Sequence, residues 1–140
     1  MDQDELILDG KWSYRSFYND MQEPREPLYM EPWAPLAEIT ARSTLGRQIT
    51  ATMRFASGIV LDVAGWTTAR ISRTTLGTAG PSELPTPPGV ILRANGCGAT
   101  YELRGFLAVP KIIVGTVRCL HGDLGRLPDG TIGPFVMLQA

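Results

Sequence analysis

Short runs of apolar and β-branched residues alternate with polar positions along the chain, and glycines and prolines separate these runs. A period of two is typical of strands with one buried face, whereas an amphipathic helix repeats its apolar positions every three or four residues. With 15 glycines and 11 prolines in 140 residues, helix signals are scarce. The pattern predicts eight strands, at residues 11–19, 36–43, 48–55, 59–68, 89–95, 100–108, 111–120 and 132–139.

Most of the predicted connectors are short and have the chemistry of tight turns. Gly46 lies between the second and third strands, Gly58 between the third and fourth, and Gly130 before the last. Glycine takes the positive φ angles that such turns need. Eight sequential strands joined in this way predict an all-β fold, a closed up-and-down antiparallel barrel with an internal cavity, because closure removes the exposed edges of a sheet. We expect one domain, residues 1–140.

Two connectors, residues 20–35 and 70–88, are long and rich in proline. In a meander they lie at opposite ends of the barrel. If the end where the first strand begins is the lower end, the 20–35 segment lies at the upper end and the 70–88 segment at the lower. The upper segment contains Trp33, which is unusual for a solvated loop and indicates either a lid over the barrel mouth or a strap packed on its outside.

The first strand places polar side chains on one face. If Trp12 points inward, the period of two turns Tyr14, Ser16 and Tyr18 inward as well, and it leaves Ser13, Arg15 and Phe17 outside. A buried hydroxyl without a partner costs about 1–3 kcal/mol, so these residues favour a cavity that holds water or a ligand. The alternative is a packed core with tyrosine rings inside and their hydroxyls at the rim.

The inner faces of the third and fourth strands depend on the hairpin between them. The third strand turns Ala51, Met53 and Phe55 inward. A three-residue loop then pairs Phe55 with Ile59, which places Leu61 and Val63 inside and Asp62 in solvent. A two-residue loop would bring Asp62 and Trp66 inside, where a desolvated carboxylate suits acid–base chemistry. We expect the three-residue loop because it gives a wholly apolar inner row.

The first strand opens with Gly10, Lys11 and Trp12, near the N-terminus. This start resembles that of the calycins, which comprise lipocalins, fatty-acid-binding proteins and avidins, and the avidin opening strand is the most similar. The resemblance implies that Trp12 plugs the closed end of the barrel. The last strand lacks the arginine that lipocalins pack on this tryptophan, and the tryptophans that clasp biotin in avidins have no clear counterparts. The resemblance therefore implies a fold and not a ligand.

The upper end of the predicted barrel gathers most of the candidate chemistry, including Tyr101 and Arg118. An arginine near the mouth could bind a carboxylate or enolate oxygen of a ligand. The plainer interpretation is a surface salt bridge with Glu102 or Asp123. His121, the only histidine, falls in a turn, where we expect it to be solvated.

Several function classes are disfavoured. No apolar run approaches the roughly 18 residues of a membrane-spanning helix, and the net charge of −1 gives no field for nucleic acid. The acidic N-terminus is unlike a secretory signal and predicts a cytoplasmic protein. We expect no cofactor and no metal. Cys97 and Cys119 fall two strands apart, about 9.6 Å, which predicts free thiols.

Three functional hypotheses follow. The first is binding of a small hydrophobic or aromatic molecule, polyketide- or terpenoid-like, by Tyr14, Ser16, Tyr18, Trp33, Met53, Phe55, Leu61, Tyr101 and Arg118. The second, by analogy of fold alone, is a cofactor-free cyclase or isomerase with Tyr14 and Arg118 as catalytic candidates. The third is a structural or oligomerising barrel with a filled interior. Outward Phe17 and Phe106 would suit a homodimer, although isolated exposed aromatics are common.

Overall fold

The computed structural model of this chain describes residues 7–17, 35–44, 46–68, 87–122 and 128–140. These residues form eight strands: β1 (Gly10–Ser16), β2 (Ala37–Ser43), β3 (Gln48–Phe55), β4 (Val60–Thr68), β5 (Gly89–Gly96), β6 (Ala99–Val109), β7 (Ile112–His121) and β8 (Ile132–Gln139). Each strand pairs antiparallel with its neighbours in sequence, and β8 returns to pair with β1. The predicted all-β, closed up-and-down barrel is confirmed. Of the long connectors, residues 18–34 and 69–86 lie outside the described residues, so lid and strap both stay predictions.

The β3–β4 hairpin settles which face of β4 is buried. The amide of Phe55 donates to the carbonyl of Ile59 at 2.8 Å, and Met53 pairs with Leu61, so the loop has three residues. Its last residue, Gly58, has a φ of 98°, which glycine adopts without steric cost. Asp62 is consequently exposed on the outer face. The two-residue alternative, with an inward Asp62, is wrong.

The predicted alternation holds on the other strands that form the inner surface. On β1, Trp12, Tyr14 and Ser16 are buried while Ser13 between them is exposed. On β3, Met53 is buried and its neighbours in sequence are exposed. One apolar cluster fills much of the interior and includes side chains from all eight strands.

The lower end of the barrel is packed around Trp12. The indole Nε1 donates to the carbonyl of Leu8 at 2.9 Å, and both side chains are fully buried. Beside them, the carboxylate of Asp9 accepts a hydrogen bond from the Ser43 amide at 2.7 Å and a second from the Ser43 hydroxyl. These contacts fix residues 7–9 against the end of β2. The buried indole agrees with the plug that the calycin resemblance implies.

Asp9 gives the fold a weak acid sensitivity. The two hydrogen bonds from Ser43 lower the pKa of the Asp9 carboxyl below its ordinary value of 3.8. A lowered pKa in the folded state means that the carboxylate contributes stability above pH 3.8 and loses it as the pH falls through the folded value. We expect Asp9→Asn to lower the Tm at pH 7 by less than about 3 °C, since the group is solvent-exposed.

Thermal unfolding followed from pH 7 to pH 3 tests this prediction, with Asp62→Asn on the exposed face of β4 as the matched control. The difference between Asp9→Asn and the wild type should shrink below about pH 4, where the wild-type carboxylate is progressively protonated. A difference that stays constant over the whole range would contradict the prediction.

Candidate functional site

A diagonal row of small side chains crosses half of the barrel interior. Paired positions on β2, β3, β4 and β5 form this small-residue row: Ala41, Ala51, Val63 and Ala94. The row begins near the lower end of β2 and ends near the upper end of β5. Ala51 stays only partly buried, although it faces inward at mid-strand. Small residues at four successive positions leave less of the interior filled than Leu or Phe would.

The small-residue row leads to a group of polar side chains on the other half of the barrel. Ala94 pairs with Tyr101 on β6, and Tyr101 pairs with Cys119 on β7. From β1, which follows β8 around the barrel, Tyr14 and Ser16 face the same interior. We name Tyr14, Ser16, Tyr101 and Cys119 the inner polar cluster. Apart from Thr67 on β4, the inward hydroxyl and thiol groups of the described strands therefore come from β1, β6 and β7, where they lie among apolar side chains such as Val117 and Phe135.

Tyr14 is held as a neutral phenol. Its side chain is 3% exposed, and its ring lies 5.6 Å from that of Phe135. Burial raises the pKa of the Tyr14 phenol well above its ordinary value of 10.0, Ser16 lowers it in part, and Tyr101 raises it further. A phenol with a raised pKa keeps its proton at neutral pH and acts as a hydrogen-bond donor without charge.

Ser16 has a buried hydroxyl that lies beside the Tyr14 phenol. The residue is 1% exposed, and its Oγ completes no hydrogen bond of ordinary geometry with the described residues. Its influence on the Tyr14 phenol shows that the two groups are close. Leaving such a group unpaired costs about 1–3 kcal/mol. A ligand that hydrogen-bonds to Ser16 would offset this cost.

Tyr101 and Cys119 complete the cluster. Burial raises the pKa of the Tyr101 phenol and also that of the Cys119 thiol, to which the nearby Asp129 carboxylate adds. A thiol with a raised pKa is a poor nucleophile at neutral pH. Cys119 is buried and Cys97 lies exposed in the β5–β6 turn, and neither forms a disulfide, as predicted.

The other predicted site residues divide into three groups. Met53, Phe55 and Leu61 face inward and pack in or against the core, so they line the interior as expected. Tyr18 and Trp33 lie outside the described residues. Arg118 lies on the outer face of β7, exposed and paired in register with Glu102 and Ile132, so it is not brought together with the others.

Of the two partners predicted for Arg118, Asp123 lies outside the described residues, and Glu102 binds other arginines. The carboxylate of Glu102 binds Arg93 at 3.0 Å and Arg104 at 2.9 Å. These two arginines lower the pKa of the Glu102 carboxyl. His121 is exposed, as expected, but it is the last residue of β7 and not part of a turn, and its Nδ1 lies 3.8 Å from the Asp129 carboxylate.

No inward position of the described strands carries an acidic, lysine, arginine or histidine side chain. Arg54 on β3 and Arg93 on β5 are exposed between inward neighbours, and Arg15 on β1 also has an outward position, although it is half-buried and its Nε is buried without a hydrogen bond among the described residues. Sequence patterning could anticipate this for β3 and β4. Sequence patterning could not anticipate that β6, β7 and β1 would bring the residues of the inner polar cluster together.

No protein-family model, curated protein or solved structure matches the chain. Within the described ranges, no helix is both long and apolar enough to cross a membrane.

Proposed function

We propose that the barrel binds a small hydrophobic or aromatic molecule, polyketide- or terpenoid-like, in an incompletely filled interior. The observation that carries this proposal is the Ser16 hydroxyl, which is buried beside the neutral phenol of Tyr14 and completes no hydrogen bond of ordinary geometry with the described residues. The small-residue row supports it independently, because it supplies an apolar surface opposite these hydroxyls. The calycin resemblance of the first strand points to the same kind of barrel.

Affinity and orientation would come from different parts of the interior. Burial of apolar ligand surface contributes about 25 cal/mol per Å² before the costs of association. Met53, Leu61 and the small-residue row offer that contact. The hydroxyls of Tyr14 and Ser16 would fix one polar atom of the ligand, since a few convergent polar groups in a mostly apolar site provide orientation.

Substitution of Ser16 tests the proposal even without a ligand. We expect Ser16→Ala to raise the Tm of the ligand-free protein by about 3 °C, because it removes an unpaired buried hydroxyl. Ser13→Ala, at the exposed position three residues earlier on the same strand, should leave the Tm unchanged. The same two variants are then titrated with hydrophobic ligands by thermal shift.

Ligand-induced stabilisation is the second measurement. At a concentration of 100 times its Kd, a ligand stabilises the folded state by about 2.7 kcal/mol, so a specific ligand raises the Tm of the wild type clearly. Ser16→Ala should reduce that rise and Ser13→Ala should not. If no hydrophobic compound shifts the Tm and a hydrophobic fluorescent probe does not bind, the barrel is filled and serves a structural or oligomerising role.

A cofactor-free cyclase or isomerase is the second candidate function, and Tyr14 is the observation that favours it. A buried neutral phenol can donate a hydrogen bond to a carbonyl oxygen whose negative charge grows in the transition state. Conversion of a bound ligand would distinguish the enzyme from a binding protein. In that case Tyr14→Phe should lower kcat more than it weakens binding.

A homodimer and a cytoplasmic location stay predictions. Phe106 is 44% exposed on the outer face of β6, and it pairs with Val114, which in turn pairs with Val136. These apolar neighbours support a partner surface at this face, whereas Phe17 is partly buried.

A further inference from the structure

We infer that the ligand is uncharged and carries a carbonyl oxygen, which accepts hydrogen bonds from Tyr14 and Ser16 inside the barrel. This inference rests on the proposed function and deepens it by naming the chemistry of the ligand. The inner faces of the described strands carry no charged side chains, and the hydroxyl groups of Tyr14 and Ser16 can donate hydrogen bonds.

The ligand is expected to be uncharged because the inward positions of the described strands carry no charged side chain that could pair with it. A carboxylate or an ammonium group that leaves water must be paired with an opposite charge, or the cost of desolvation exceeds what burial returns. The described strands turn their arginines and acidic residues outward, as on β5, where exposed Arg93 lies between buried Leu92 and Ala94. A fatty-acid carboxylate would therefore find hydroxyls but no counter-ion along these strands.

The ligand is expected to carry a carbonyl group because Tyr14 and Ser16 can both donate hydrogen bonds to it. Burial keeps the proton on the Tyr14 phenol, and the neighbouring Ser16 hydroxyl, which completes no hydrogen bond of ordinary geometry with the described residues, can donate its proton to a new acceptor. The two residues are two positions apart on one face of β1, so both hydroxyls reach the same part of the interior. A carbonyl oxygen has two lone pairs and can accept from both.

The orientation of the ligand follows from the diagonal course of the small-residue row. The row rises from Ala41, near the lower end, to Ala94, which pairs with Tyr101 of the inner polar cluster. An elongated apolar skeleton along this row would bring one end to the hydroxyls of the cluster. The carbonyl is thus expected at that end of the molecule, and hydrocarbon elsewhere.

Three naphthalenes of nearly equal size separate the possibilities: 2-acetylnaphthalene is a ketone, 2-naphthoate is a carboxylate and 2-ethylnaphthalene is a hydrocarbon. Their Kd values for the full chain are measured by calorimetry at pH 7.5. We expect the ketone to bind about tenfold more tightly than either of the others. Tyr14→Phe and Ser16→Ala should each reduce the preference for the ketone over the hydrocarbon, and Ser13→Ala should preserve it.

Each outcome of the naphthalene binding experiment either supports the predicted carbonyl ligand or contradicts it. Equal binding of all three naphthalenes would overturn the inference and leave the proposed hydrophobic binding intact. Tighter binding of the naphthoate would overturn it too, because it would require an inward cation. A ketone preference that survives both Tyr14→Phe and Ser16→Ala would show that the oxygen lies elsewhere. If none of the three binds, and neither the hydrophobic fluorescent probe nor any other hydrophobic compound binds, the proposed function fails and the inference falls with it.

Discussion

Replacement of Gly65 by alanine is expected to lower the Tm by about 10 °C or to prevent folding altogether. A Cβ atom at this position would lie 1.9 Å from the carbonyl oxygen of Ile91 and 2.9 Å from the Cα of Leu92. Both are backbone atoms of the adjacent strand, so no side-chain rotation relieves the overlap. The two strands would have to separate, with loss of the hydrogen bonds between β4 and β5.

A graded series of glycine substitutions tests the cause of this effect. Gly115→Ala should be as severe, since its Cβ would meet the Arg104 carbonyl oxygen at 2.0 Å. Gly89→Ala should be milder, because its nearest atoms, the Gly105 carbonyl oxygen and Thr68 Oγ1, lie at 3.0 Å. Thermal unfolding by circular dichroism measures all three. If Gly65→Ala were as stable as the wild type, or less damaging than Gly89→Ala, close strand approach would not explain these glycines.

The two most crowded glycines indicate how a small barrel closes. Gly65 lies on β4 and Gly115 on β7, within strands that also carry large inward side chains. An isolated glycine in a strand often marks a sharp bend or the close approach of a neighbouring backbone. Closure of only eight strands requires strong coiling of the sheet, and a missing Cβ allows it.

The strands and the β3–β4 register could be predicted because local signals determine them. The alternation of apolar and polar residues locates each strand, and the loop ending at Gly58 sets the pairing of Phe55 with Ile59. Once that pairing is known, the period of two decides that Leu61 is buried and Asp62 is exposed. β1 spans Gly10–Ser16, and residues 18 and 19 of the predicted first strand lie outside the described residues.

The inner polar cluster could be predicted only in part. Tyr14 and Ser16 follow from the inward Trp12 on the same strand, but the neighbours of Tyr101 depend on an irregularity in the β6–β7 pairing. Val109 pairs with Ile112 while Leu107 pairs with Ile113, so Ala108 is skipped near the turn, and from there one register runs to Tyr101 and Cys119. A shift of one residue changes which side chains face each other across the two strands, and nothing in the local composition marks it.

The turn between β5 and β6 lacks the residue pair that usually marks a tight hairpin in a sequence. Cys97 and Gly98 form a two-residue link between β5 and β6, and both have positive φ, 51° and 77°. Such a turn is usually announced by Asn-Gly or Asp-Gly, because few other residues tolerate positive φ. A cysteine at the first position removes the familiar marker, although the following glycine remains.

Replacement of Trp12 by alanine is expected to lower the free energy of unfolding by about 3–5 kcal/mol. The indole is 1% exposed at the lower end of the barrel, and its removal would leave a large void. The Leu8 carbonyl, which accepts the indole N–H at 2.9 Å, would lose its partner. Trp12→Phe should cost less, because a ring still fills much of the space, but it should not restore the hydrogen bond.

Trp66→Ala provides a control with the same change of residue type. Trp66 is 50% exposed on the outer face of β4, so its replacement should cost less than about 1 kcal/mol. Chemical denaturation of Trp12→Ala, Trp12→Phe and Trp66→Ala gives the three free energies. The closed lower end requires the order Trp12→Ala, Trp12→Phe, Trp66→Ala from most to least destabilised. If Trp12→Ala cost no more than Trp66→Ala, the buried tryptophan would not be what seals this end of the barrel.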